Sequence, residues 1–269
     1  MSAIRLEGCH ALVTGASAGI GREFARQLGG RAAKLTLVAR RQERLKELRA
    51  ELLGHHPDLQ VEIRALDLAQ AAAVDALISW ATTQKPAIDL LINNAGLGDL
   101  GAFATSDPRK IDAIMLVNIV ALTRLTRGLL PTMIGQKRGA ILNVSSSAGF
   151  LPIPNFAVYA ATKAYVTSFS EALRSELRGT GVGVTALCPG PVRTEFTDVA
   201  QRGGAGPAPT GPTLAHVSVE QVVTAALRGV ERKRPIVIPG AVMKFGMTLV
   251  RLTPLPLLRL ANRFSRKPA

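Results

Sequence analysis

The amino-acid sequence predicts one doubly wound α/β domain, a seven-stranded parallel sheet with helices on both faces. Three observations carry that expectation. Short apolar and β-branched runs alternate with helical patterns along the chain. Most of those runs are apolar on both faces, as strands covered on both sides must be. No Pro/Gly-rich linker divides the alternation into two. The 269 residues make one large domain, and 47% hydrophobic with 19% charged residues excludes a disordered, collagenous or disulfide-stapled chain. With aromatics at only 4%, the core falls to Ala, Leu, Val and Ile.

In chain order, 10–14 (HALVT), 35–39 (LTLVA), 61–66, 89–93 (DLLIN), 140–145 (AILNVS), 183–188 (GVTALC) and 235–238 read as strands. Helical patterns cover 20–28, 41–53, 69–83, 112–134, 158–178 and 219–232, with 41–53 placing leucines and paired charges at three- and four-residue spacing. Right-handed crossovers between such units give three layers. Residues 1–240 form the expected domain and 241–269 a basic C-terminal extension. The segment 201–213, with seven Gly or Pro among thirteen residues, reads as a lid or a structureless insert.

Charge is uneven. The net charge is +14, yet residues 228–269 hold ten Lys/Arg and one acid, Glu231. A basic tail is therefore the reading, and a nucleic-acid surface is not, since stacking aromatics are missing. Leu257, Leu260, Ala261 and Phe264 share one helical face with Arg259, Arg263 and Arg266 off it, which suits an anionic membrane, the substrate cleft or a partner subunit. The N-terminal ten residues show no apolar leader, and no run approaches a spanning length of about 20 apolar residues. Cys9 and Cys188 make no disulfide framework and no metal spacing, consistent with a reducing, cytoplasmic setting.

Residues 14–21 read TGASAGIG between the first strand and the first helix. Gly15 permits a tight turn, while Gly19 and Gly21 admit a pyrophosphate close to backbone at the positive helix end. This is the Rossmann-type arrangement for a dinucleotide. The second strand ends Val38-Ala39-Arg40-Arg41, with no acid for a ribose hydroxyl. Two guanidiniums, with Ser17 as a further donor, suit a 2′-phosphate, so the expected cofactor is NADP(H). Tyr159 and Lys163 lie at i and i+4 on a helix, so phenol and ammonium share one face. A cation at ~4 Å in a partly buried site supplies on the order of 4 kcal/mol. That is enough to bring a phenol about 3 pKa units down toward neutrality.

Taken with Asp67, the run 93–96 (NNAG), Asn118, the triple serine 145–147 and the run 189–194 (PGPVRT), these motifs resemble the short-chain dehydrogenase/reductase family in its common single-domain, NADP(H)-preferring form. The likeness runs from about residue 9 to 238. It implies that Tyr159 exchanges a proton with the substrate oxygen and that Lys163 lowers the Tyr159 pKa and holds the nicotinamide ribose. It also implies that Ser146, thirteen residues before Tyr159, bonds the substrate oxygen, and that Asn118 holds a proton-relaying water. Gly15, Ser17, Gly19, Ile20, Gly21, Arg40 and Arg41 would line the phosphates. Asp67 and Leu68 would border the adenine, Asn94, Ala95 and Gly96 the adenosine side, and Pro189, Gly190, Val192 and Thr194 the nicotinamide. No metal is implied.

The apolar segment 150–158 (FLPIPNFAV) before the catalytic helix points to an apolar substrate. The expected activity is an NADP(H)-dependent oxidoreductase interconverting a carbonyl and a secondary alcohol on an apolar ketone or aldehyde, steroid-like, terpenoid or 3-oxoacyl compound. The alternative is a catalytically idle NADP(H)-binding sensor or scaffold. Relatives imply a homodimer or homotetramer.

Overall fold

The computed structural model describes residues 5–202, 217–254 and 256–257. Seven parallel strands form one sheet in the order β3-β2-β1-β4-β5-β6-β7. They are β1 (His10–Thr14), β2 (Lys34–Ala39), β3 (Gln60–Ala65), β4 (Leu90–Asn93), β5 (Gly139–Val144), β6 (Val182–Leu187) and β7 (Ile236–Val237). Each lies within one or two residues of its sequence-predicted span. The strand order reverses between β1 and β4, and the crevice at such a switch point is where this architecture binds ligands.

Alternation along the strands feeds two apolar layers. Ala11 and Val13, Leu90 and Ile92, and Ala140 and Leu142 face α1 (Gly19–Gly29), α2 (Gln42–His55) and α8 (Val219–Glu231). Leu12, Leu91 and Ile141 face the opposite way, onto α3 (Ala71–Ala81), α5 (Leu122–Gly135) and α6 (Ala157–Glu176). Both faces of the central strands are buried, which is why they read as continuous apolar runs.

Three helical features depart from expectation. The helix expected at 112–134 starts earlier, at α4 (Pro108–Met115), where Asp107 caps by accepting from the Arg109 N–H at 2.9 Å and Pro108 needs no amide partner. It then passes through a π turn (Leu116–Ala121) into α5, a continuous 28-residue rod. By length and composition this rod could cross a membrane, contrary to the expectation that no run approaches that length. Its apolar residues Ile114, Val117, Leu125, Leu129 and Met133 are instead buried in the domain. The second feature is α7 (Glu195–Ala200), and the third is α9 (Ala241–Leu252); neither stood out in the sequence. Most of the expected lid (203–213) and most of the basic tail helix (258–269) lie outside the described residues.

Candidate active site

The phosphate loop is built by close approach. A Cβ on Gly15 would lie 2.8 Å from Asn94 Nδ2 and 2.9 Å from Ala95 Cα, and one on Gly21 would overlap the Gly15 carbonyl. Gly15 and Gly19 also have φ of 68° and 50°. Thr14 Oγ1 accepts from the Asn94 and Ala95 N–H groups, each at 3.0 Å, and the Asn94 amide donates to the Thr14 carbonyl at 2.9 Å. Asn94, expected to border the adenosine, thus has its side-chain donor committed to holding the loop shut.

The start of α1 carries no side-chain cap and no acid in its first turn, so its leading N–H groups are left for an anion. Beside it, Arg41 donates from Nε and Nη2 to Ser17 Oγ at 3.3 and 3.2 Å, and Arg40 is exposed at the same strand end. An uncapped helix end flanked by a hydroxyl and two guanidiniums fits a dinucleotide with a 2′-phosphate. Asp67 accepts from the Ala69 N–H at 3.0 Å, bracing the turn after β3, and Leu68 is buried there.

The catalytic helix is α6. Tyr159 and Lys163 are both buried, one turn apart, with Lys163 Nζ 5.6 Å from the Tyr159 ring centre. Lys163 donates to the Val144 carbonyl at 2.8 Å. Burial pushes the Tyr159 phenol up to about 12, opposed by its hydrogen bond with Ser146. Burial likewise brings the Lys163 ammonium down to about 8. Burial thus sets the direction for the phenol, while the Lys163 ammonium is committed to the Val144 carbonyl.

Ser146 caps the 3₁₀ turn Ser147–Phe150, its hydroxyl accepting from the Ala148 N–H at 3.1 Å. Ser145 points the other way. Its hydroxyl donates to the Lys163 carbonyl at 2.8 Å and meets Thr167 at 2.7 Å, fastening α6 to β5.

Asn118 sits in the π turn. Its Oδ1 accepts from the Leu97 N–H at 2.8 Å, and its Nδ2 donates to the Leu97 carbonyl and to Thr162 Oγ1, both at 3.0 Å. Thr162 in turn donates to the Tyr159 carbonyl at 2.8 Å. The bonds made by Asn118 brace the catalytic helix against the loop after β4. A Cβ on Gly96 would stand 3.5 Å from both Asn118 Oδ1 and Lys163 Nζ, so the bare glycine keeps that corner open.

On the substrate side, the Tyr159 ring stacks on Phe156 at 4.3 Å and meets Phe196 of α7 at 5.2 Å. The end of α7 is tied to the loop after β4. Leu100 bridges Gln201, and Arg202 forms a two-pronged pair with the buried Asp99, Nε to Oδ1 at 2.9 Å. Thr194 caps α7 by accepting from the Phe196 N–H. Met243 of α9 fills the space above Gly190, and Val192 packs on the core. Pro189 accepts the Ser147 N–H at 2.8 Å, so the expected nicotinamide-side run is joined to the serine turn. Phe156 falls in the apolar segment 150–158 and Phe196 in the segment after Thr194, both expected on the substrate side from the sequence; Thr162, Asp99 and Arg202 escaped the sequence reading.

A family model described as short chain dehydrogenase matches residues 9–203. The chain belongs to the short-chain dehydrogenase/reductase family. It is 42% identical over 193 residues to a sulfoacetaldehyde reductase of Chromohalobacter salexigens, covering 71% of this chain and 75% of that protein. A short-chain dehydrogenase from Sphingobium yanoikuyae in complex with NADPH is similar throughout, with TM-score 0.81, 32% identity and 97% of each chain covered. A bulky-bulky ketone specific alcohol dehydrogenase from Comamonas testosteroni matches with TM-score 0.76 and 30% identity, over 97% of this chain and 96% of that one. This short-chain dehydrogenase/reductase is an oxidoreductase and its cofactor is NADP(H).

Proposed function

We propose that the protein reduces bulky apolar ketones or aldehydes to alcohols, and runs the reverse reaction when alcohol is in excess. The observation that carries this reading is the aromatic wall: the Tyr159 ring touches the rings of both Phe156 and Phe196, and these two come together beside Gly98. Such a surface favours a flat or branched apolar group beside the reacting carbonyl over a small charged substrate. The nicotinamide supplies or takes up the hydride.

Everything else falls to the chain. Burial keeps the phenol protonated, so Tyr159 arrives at a carbonyl able to give its proton. The Ser146 hydroxyl, bonded to that phenol, adds a second donor toward the developing oxyanion. Lys163, fixed on the Val144 carbonyl, places positive charge behind the ring. Braced by Asn118 and Thr162, the helix turn carries both groups as one unit.

The test is NADPH oxidation followed with aromatic and alicyclic ketones against sulfoacetaldehyde. Faster turnover of the apolar ketones supports the reading, and preference for the sulfonate defeats the substrate class. Tyr159→Phe should cost roughly 10²–10⁴-fold in kcat while NADPH still binds. Because reduction needs a neutral phenol and a charged ammonium, kcat/KM for the ketone should hold level at lower pH. It should then fall above about pH 8, as Lys163 loses its proton. Retained turnover in Tyr159→Phe would overturn the role given to Tyr159, whereas NADPH binding by the wild type with no turnover of any ketone would favour the idle, cofactor-sensing reading.

Two surfaces extend the proposal. Met115, Leu116 and Val120 on the π-interrupted rod and Tyr165 on α6 are exposed apolar side chains, and they suit pairing with a second copy of the chain, readable by light scattering. Val242, Phe245, Leu249 and Leu252 form an exposed stripe on α9, flanked by Lys244 and Arg251. With no acid from 232 to 269, that stripe suits an anionic membrane surface. Co-sedimentation with phosphatidylglycerol vesicles but not phosphatidylcholine vesicles, lost on Phe245→Glu, supports it, and equal or absent binding removes it.

A further inference from the structure

The start of α7 touches the cofactor side in two places. Thr194 stands 3.2 Å from where a Cβ on Gly19 would be, so the helix cap rests on the phosphate loop. Glu195, the first residue of α7, pairs with Arg41 Nη1 at 2.8 Å and also with Arg44. The opposite edge of the same Arg41 guanidinium is turned to Ser17 in the phosphate loop. One planar group therefore joins two segments distant in sequence, one expected to hold the 2′-phosphate and the other carrying Phe196 into the substrate wall.

We infer that Glu195 is a positioning residue that couples occupancy of the 2′-phosphate site to closure of the substrate helix, through the guanidinium it shares with that site. The inference rests on the NADP(H) reading of Ser17 and Arg41. Arg41 has five donors in a fixed plane, so a phosphate oxygen on the Ser17 edge leaves Nη1 for Glu195. The side chain is long and half exposed, and an ion pair of this kind is weak by itself, since ordering the side chain offsets most of the attraction. A phosphate that fixes the guanidinium removes that ordering cost in advance. The carboxylate then binds a group that has little freedom left to lose, and the two contacts reinforce one another. Arg40, exposed beside Arg41, and the partly buried Arg44 bring the charge to about neutral with both anions in place, so the two anions are not left uncompensated.

The consequence is a discrimination felt at the substrate. NAD(H), with a hydroxyl in place of the phosphate, would occupy the crevice without fixing Arg41, and α7 would stay loosely held. Coupling is reciprocal, so a closed α7 also holds the phosphate end more tightly.

The test uses fragments that end short of the catalytic centre. Amide hydrogen exchange over residues 194–202 is measured in the full chain with 2′,5′-ADP and with 5′-AMP at matched occupancy, set by calorimetry. The expected result is exchange slowed about fivefold by 2′,5′-ADP and unaffected by 5′-AMP, a typical coupling factor. Glu195→Gln should still bind 2′,5′-ADP yet lose the slowing, and Glu195→Asp should restore part of it. Equal slowing by both nucleotides, or slowing that survives Glu195→Gln, overturns the coupling alone. Failure of the wild-type chain to bind 2′,5′-ADP at all overturns the phosphate-site reading beneath it, and the coupling with it.

Discussion

The two walls of the crevice are held by different chemistry. On the cofactor side, the phosphate loop is closed by short, uncharged bonds among Thr14, Gly15, Asn94 and Ala95, with glycines where backbones meet. On the substrate side, α7 is pinned at its start by Glu195 on Arg41 and just past its end by Arg202 on Asp99. Backbone-scale bonds leave no slack, because neither partner can move without moving a strand. Long charged side chains tolerate displacement and respond to ions and ligands. A cofactor of fixed shape suits the first wall; substrates of varied shape suit the second.

The sharpest way to break this comparison is to add one methyl to each wall. At Gly21 a Cβ would overlap the Gly15 carbonyl and Asn94 Nδ2, both fixed by the loop's own bonds. Gly21→Ala should lose about 1–3 kcal/mol of stability, as overpacking does. NADPH binding should fall below detection in calorimetry, because the loop must open to admit the methyl.

A smaller effect is expected from the ion pair. Asp99 is buried, and Arg202 holds its carboxyl down to about 2. A carboxylate whose folded pKa lies below its unfolded value of about 3.9 adds stability that is complete above that value. The contribution is lost as pH falls toward about 2. Protection from hydrogen exchange over 196–202, taken relative to the intrinsic rate at each pH, should therefore fall in the wild type only between about pH 4 and pH 2. Asp99→Asn should show the reduced protection at neutral pH already, with a several-fold rise in ketone KM and NADPH affinity weakened by no more than the roughly fivefold coupling that α7 transmits. A variant that lost NADPH affinity as completely as Gly21→Ala would mean that the two walls are not separable.

The same division explains what could be read in the sequence. Strands, the glycine turn and the Tyr159–Lys163 pair are encoded within a few neighbouring residues, so periodicity and motif spacing expose them. Asn118 and Ser146 came through the family likeness, yet the partners that set their geometry did not: Thr162 reaches Asn118 across 44 positions. The pairs Asp99–Arg202 and Arg41–Glu195 span 103 and 154 positions and leave no local trace. The short α7 did carry a signal, a Thr194 cap followed by Glu195 and Asp198 in the first turn, hidden by its six-residue length. The start of α9 is marked by Gly240 at φ 83°, but its stripe of Val242, Phe245, Leu249 and Leu252 reads as a broken apolar run.

The mildest prediction tests the substrate wall directly. A Cβ on Gly98 would meet Phe196 Cζ at 2.8 Å, Phe156 Cε2 at 3.2 Å and Ala200 Cβ at 3.3 Å. Unlike the obstacles at Gly21, the nearest two are ring tips at the ends of side chains. Phe196 rides on the first turn of α7, where the attachment to Arg41 is an ion pair, whereas the backbone bond of Leu100 to Ala200 lies at the far end, so the ring can give way by a few tenths of an ångström. Gly98→Ala should then leave melting temperature and NADPH affinity near wild type while shifting KM for bulky ketones upward by a few-fold and sparing smaller ones. Losses at Gly98→Ala as large as those at Gly21→Ala would show that the aromatic wall is as rigid as the phosphate loop.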